Sequence, residues 1–358
     1  MIEAGRTSGH SVGRSDHLTR RMATLMETTI QSLKLDLSEF VVLTEAATGP
    51  YVVTPVIAAM AGSPRVIALT RDSSYGSVEE VTRQTKQLAE YCGVSHRIEV
   101  RVERDPAWFQ AADIVTNLGF VRPLDRATCR AIRPGRVVPL MCEAWEWRPQ
   151  DLDVVACDEF GIQTFGTNEH HPKAPVFEYC GWLALKLVQE AGLEGHQTRA
   201  LIIGRDKFAK VIAARLGAAG AQVEHALTFG EASQRPADAV IIADYHEPGF
   251  VIGPSGEIES AEFAARYGSA TVIPFVGQVD VLGLAALGVR VFPAENPGSH
   301  RMVRTLAALG PRPVIELHAA GLKVGAMALQ GATNAPGDFE GLAQPLSAAS
   351  AAAPFFEK

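Results

Sequence analysis

The stretch Thr198–Ala226, TRALIIGRDKFAKVIAARLGAAGAQVEHA, decides the fold. It reads as a strand, a tight turn at Gly204, an amphipathic helix and a second strand, the opening of a dinucleotide-binding βαβ unit. Such a turn uses the spacing G-x-G-x-x-G, because small residues let the backbone approach a pyrophosphate. Here those positions hold Gly204, Asp206 and Ala209, so only the first glycine keeps its usual role. A carboxylate aimed at a phosphate repels it. The stretch therefore specifies a nucleotide-binding fold more firmly than a bound nucleotide.

Outward from this unit, apolar runs at Phe40–Leu43, Val66–Leu69, His96–Val100, Ile114–Thr116, Val137–Leu140 and Val154–Ala156 predict strands, with helical stretches between several of them. A helix through Pro175–Glu190 leads into the Rossmann-type unit, whose later strands fall at Ala239–Ala243, Ala270–Phe275 and Val289–Phe292. Alternation of this kind means parallel sheets. The fold class is α/β: two Rossmann-like doubly wound domains with a cleft between them and a C-terminal segment returning to the first. Residues 1–173 are expected to form a flavodoxin-like substrate domain whose first 20 or so residues are a loose arm. Residues 174–313 form the nucleotide-binding-like domain, and 314–358 an apolar helix, Val314–Leu329, followed by a loose or surface-draped tail.

With 33 basic and 40 acidic residues the formal charge is -7, which lacks the basic excess that tracking a nucleic acid requires. No apolar run approaches the roughly 20 residues that span a bilayer, and the N-terminus has no signal-peptide core, so a cytoplasmic location is expected. The five cysteines (Cys92, Cys129, Cys142, Cys157, Cys180) are dispersed, which suits neither a disulfide framework nor a thiolate zinc site. They read as small buried side chains.

Several segments, taken in order, resemble the D-2-hydroxyacid dehydrogenase family over most of residues 40–325. Ile132–Glu169 is similar to the family's run into its GI-x-V strand, and Ala174–Leu187 to its inter-domain helix. Ala270–Asp280, ATVIPFVGQVD, resembles the strand ending in R-G-x-x-V-D, and Val289–Pro297, VRVFPAENP, resembles D-V-F-x-x-E-P. Val314–Gly321, VIELHAAG, resembles the stretch with the catalytic histidine. The resemblance implies His318 as general acid/base and Glu295 as the carboxylate that orients it and raises its pKa. It implies NAD or NADP at Gly204, Arg205, Asp206, Lys207 and Phe208, with Thr228 and Gly277. It also implies a homodimer formed through the nucleotide domains. Three departures stand out. The substrate-binding arginine falls at Val276, which can neither hold a carboxylate nor polarise a carbonyl. The ribose-binding acid falls near Leu227 or Thr228, and the helix between Val276 and Glu295 has to be trimmed or absent.

Ligands in such folds bind beyond the carboxyl ends of the strands, so polar residues there form the expected substrate set. Thr44, Glu45 and Thr48 precede a helix and can either grip an anion or simply cap it. Arg71 is the preferred substitute for the missing arginine. Asn117, Glu143 and Trp145 sit at further strand ends; the tryptophan, beside Glu143 and Glu146, is either a pocket wall or interdomain packing. His318 also has the plain reading of a core histidine, and His300 competes with it. The doublet His170-His171 after Glu169 lacks the spacing of a helical zinc site, and no metal is expected. The expectation is an NAD(P)-dependent oxidoreductase acting on a small polar metabolite. The alternatives are a non-redox enzyme on the same scaffold or a catalytically silent binding protein.

Overall fold

The computed structural model describes residues 9–233 and 235–351. The chain forms two compact units: residues through Val176 together with those from Gly310 onward, and Phe177–Leu309.

The first unit runs α1 (Gly9–Ser32), β1 (Val42–Glu45), α2 (Val53–Met60), β2 (Val66–Leu69), α3 (Val78–Tyr91), β3 (Ile98–Arg101), α4 (Pro106–Ala111), β4 (Ile114–Val115), α5 (Arg126–Ala131), β5 (Val137–Pro139), α6 (Val154–Glu159) and β6 (Gln163–Thr167). The second holds α7 (Tyr179–Glu190), β7 (Arg199–Ile203), α8 (Lys207–Ala218), β8 (Gln222–Ala226), β9 (Ala239–Ala243), β10 (Phe250–Ile252), α9 (Ser260–Tyr267), β11 (Thr271–Val276), β12 (Gln278–Val279), α10 (Val281–Ala286) and β13 (Arg290–Val291). The chain then returns to the first unit with α11 (Pro311–Leu329), β14 (Ala343–Pro345) and α12 (Ala348–Ala351). The expected α/β fold is the fold observed.

In the first unit the order is β14-β6-β5-β4-β1-β2-β3, parallel except for β14. Read from β3 to β6 this is the 3-2-1-4-5-6 arrangement of dinucleotide folds. The second unit's order, β13-β11-β9-β7-β8, is the flavodoxin-like 2-1-3-4-5. The flavodoxin-like order expected of the first domain thus belongs to the second, because local sequence carries no record of which strands become neighbours. Strands such as β9 and β11 are buried throughout, as in sheets covered on both faces.

Three local expectations are corrected. Val154–Ala156 is helical, because Asp153 caps α6 by accepting the Ala156 N–H at 2.8 Å. The expected loose arm is helix α1 from Gly9 onward, anchored by buried Met22, Leu25 and Met26 and packed on α11; residues 1–8 lie outside the described ones. The expected loose tail adds β14 antiparallel to β6, held by buried Leu342 and Leu346, with the Leu346 N–H on Thr164 O at 3.1 Å; residues 352–358 lie outside the described ones. Helix α10 spans 6 residues. Among the described residues no helix is long and apolar enough to cross a membrane.

Helix α11 is buried on nearly all sides and packs against α1, α2, β4, β5 and β6. An apolar, small-residue sequence such as VIELHAAGLKVGAMAL suits a helix enclosed in this way.

Candidate functional site

Strand order reverses between β1 and β4, the place where open α/β sheets bind ligands. There the Thr116 hydroxyl donates to Thr44 Oγ1 at 2.9 Å, joining the two strand ends inside the core. Beside it, the buried Glu45 carboxylate accepts the Phe120 N–H at 3.1 Å. Burial raises its pKa above the ordinary range, opposed by the Phe120 and Gly119 N–H groups and by the charge of Arg122. Asn117 Oδ1 accepts the Met141 N–H at 2.8 Å and so ties the loop after β4 to the loop after β5.

Those two loops enclose a pocket of about 180 Å³. Its polar lining includes Asn117, Arg122, Glu146, Arg148 and Asp151, with Met141 and Trp147 as apolar wall. Arg122 donates to Asp151 at 2.7 Å, so one cation of the lining is already matched by an anion. Cys142 also lines the pocket. Its residue surface is partly open, yet burial of the sulfur, then Glu146 and Glu169, push its pKa well above the usual thiol range. Lining groups of both signs suit a small ligand that itself carries more than one polar group.

Of the expected substrate residues, Asn117 reaches this pocket, and Thr44 and Glu45 lie at the neighbouring strand end. Glu143 and Trp145 bond to one another, and Gln344 donates to Glu143 at 3.4 Å, so they brace the loop while Trp147 supplies the aromatic wall. Thr48 makes no side-chain cap; its hydroxyl donates to Tyr75 O at 3.0 Å. Arg71 is exposed, with its guanidinium 5.7 Å from the centre of the Phe120 ring. Sequence reasoning missed Arg122, Trp147, Arg148 and Asp151. The charged residues following Trp145 in WEWRPQD were the available signal.

His318 lies within α11, buried, with Nδ1 2.6 Å from the Thr54 hydroxyl. Burial lowers its pKa to about 4, opposite to the raising expected from a carboxylate partner. Glu295 belongs to the second unit, where it is exposed and accepts from both Nη atoms of Arg304, at 2.6 and 2.9 Å. That pairing lowers its pKa. His300 Nδ1 is 2.7 Å from Tyr245 O. His171 is buried, with Nδ1 accepting the Lys173 N–H at 3.1 Å, whereas His170 is exposed. Among the described residues no group of three or more His, Cys, Asp or Glu could hold a metal ion.

In the second unit, Gly204 is compulsory: a Cβ there would sit 2.0 Å from Ala243 O. Asp206 at the start of α8 accepts the Phe208 N–H at 2.9 Å and the Tyr245 N–H at 2.7 Å, one with each oxygen. Burial raises its pKa against these two bonds. Arg205 donates to Asp244 at 3.0 Å and pairs with Glu257. The Phe208 ring stacks on Tyr245 at 5.8 Å, and Lys207 lies 4.7 Å over Phe177. Thr228, after β8, uses its carbonyl to turn the chain, accepting from Glu231 and Ala232. Gly277 has φ 105° and approaches Asp244 O closely. Val276 is buried within β11. This turn does not fit a dinucleotide pyrophosphate held on the helix N-terminus, because a carboxylate already occupies that place.

No family model matches the sequence, and no curated protein matches it. Among solved structures, dipicolinate synthase from Bacillus subtilis is similar with a TM-score of 0.52 at 9% identity, over 83% of this chain and 99% of that one. The dipicolinate synthase of Bacillus halodurans follows at 0.49 and 11% identity, over 79% of this chain and 96% of that one. A putative D-3-phosphoglycerate dehydrogenase oxidoreductase from Ralstonia solanacearum follows at 0.47 and 10% identity, over 84% and 96%. At 9% identity the likeness to the Bacillus subtilis structure is one of fold, and that fold is the α/β arrangement with parallel sheets expected from the sequence.

Proposed function

We propose that this chain is an enzyme acting on a small polar metabolite bound in the first unit, at the pocket beyond the carboxyl ends of β4 and β5. The observation that carries this reading is the pocket itself, built at strand ends and lined by Asn117, Arg122, Glu146, Arg148 and Asp151. Arginines there can hold a carboxylate or phosphate, the acids can hold a cation, and Asn117 fixes the loops that present them. Glu45, with its pKa raised by burial, can hold a proton near the switch point.

The test is a thermal-shift and calorimetric screen of small carboxylic acids, amino acids and sugar phosphates, repeated on Arg148→Ala. A ligand whose affinity drops tenfold or more in the variant supports the pocket. A ligand bound equally well by the variant places the site elsewhere.

A second reading, favoured by the shared fold, is an oxidoreductase with His318 carrying the proton. Its support is the scaffold, which oxidoreductases also use. Turnover of a screened ligand together with oxidation of NADH or NADPH, abolished in His318→Gln, would establish it and would overturn the reading of the Asp206 turn as unfit for a dinucleotide.

A further inference from the structure

The helix α8 N-terminus lies where a dinucleotide fold receives phosphate, because its first N–H groups lack partners within the helix and the helix dipole attracts negative charge. Here Asp206 stands at the second-glycine position. It already supplies that charge, and its two oxygens take the Phe208 and Tyr245 N–H groups. A phosphate would have to displace both bonds and then lie beside the displaced carboxylate.

The surroundings do not offset this. Asp244 is buried at the end of β9, and Glu247 and Glu257 lie close by. Arg205, the cation next to the turn, donates to Asp244 and Glu257 and stands 3.8 Å from Glu247, so it is matched by acids of its own unit. Ordinary cofactor turns approach the pyrophosphate with bare backbone. In this turn Phe208 instead packs against Tyr245, Phe177 and Phe275. After β8 the chain continues as Leu227-Thr228, with no carboxylate for a ribose.

We propose that the nucleotide turn of the second unit is closed by its own side chain, with the Asp206 carboxylate standing in for a phosphate, so that this unit works without bound NAD or NADP. The inference concerns the second unit alone and is independent of the pocket between β4 and β5.

The experiment uses the full chain and titrates NADH, NADPH and inorganic pyrophosphate, by nicotinamide fluorescence and calorimetry, into wild type, Asp206→Gly and Asp206→Asn. Wild type is expected to show no saturable binding up to millimolar ligand, and Asp206→Gly to bind pyrophosphate at least tenfold more tightly than wild type. Saturable micromolar binding of either nucleotide by wild type overturns the proposal. So does a folded Asp206→Gly that binds pyrophosphate no better than wild type. Should the glycine variant fail to fold, Asp206→Asn removes the charge while keeping an acceptor, and the same tenfold criterion applies to it. Hydrogen exchange on wild type reads the bonds directly: protected Phe208 and Tyr245 amides support the closure, and fast exchange at both overturns it.

Discussion

Thr54 on α2 and His318 on α11 stand 264 positions apart in the chain and meet at 2.6 Å, hydroxyl against imidazole Nδ1, inside the first unit. The Tyr51 ring lies 6.0 Å from the imidazole. A neutral ring bonded in an apolar helix interface has a consequence for stability in acid.

Burial takes the His318 pKa from 6.5 to about 4. Between those pH values the unfolded chain binds a proton at this ring that the folded chain refuses. Stability from this group is therefore complete above pH 6.5 and is lost as pH falls toward 4. The full loss corresponds to roughly 3 kcal/mol. Urea unfolding at a series of pH values should show wild type losing about that much more than His318→Gln between pH 7 and pH 4. Parallel curves would mean the ring is not held neutral.

Gly204→Ala should destabilise the second unit. The added methyl would sit 2.0 Å from Ala243 O, and backbone cannot step aside as a side-chain tip can. A loss of at least about 2 kcal/mol is expected in chemical denaturation.

Cys142 should be slow to alkylate. With its pKa pushed well above the usual thiol range, little thiolate exists at pH 8. Mass spectrometry after iodoacetamide treatment should find it modified on the order of tenfold more slowly in the native protein than after denaturation.

Asn117→Ala removes the acceptor of the buried Met141 N–H, a bond of 2.8 Å between two strand-end loops. The expected cost is about 1–3 kcal/mol, measured by denaturation. Weaker binding of any ligand found for the pocket should accompany it.

The layers of the fold were legible because buried parallel strands write themselves as apolar runs: VIAL at β2 and AVIIA at β9 fall where the pattern put them. Strand order was not legible, since pairing β1 with β4 depends on contacts between segments 72 residues apart, as the Thr116–Thr44 bond illustrates. Val154–Ala156 misled because three apolar residues suit either element, and the deciding feature was the cap at Asp153 just outside them. Asp206 was recognised as the anomaly of its turn; that its oxygens would turn inward to Phe208 and Tyr245 required the loop after β9. The pocket was half legible. Asn117 follows a strand, but Arg122 and Asp151 meet only once two loops are folded together.

The first unit is discontinuous: the parallel strands β1 to β6 are laid down before Val176, whereas α11, which packs on β4, β5 and β6, and the antiparallel edge strand β14 lie beyond Gly310. On a ribosome, the intervening Phe177–Leu309 segment is contiguous, so β7, β8, β9, β11 and β13 can pair with one another as soon as it emerges. The earlier strands must wait, with the apolar face that α11 will cover open to other chains. Translation therefore finishes the later-made unit first, and the nascent sheet is most in need of a chaperone during the interval before α11 leaves the exit tunnel.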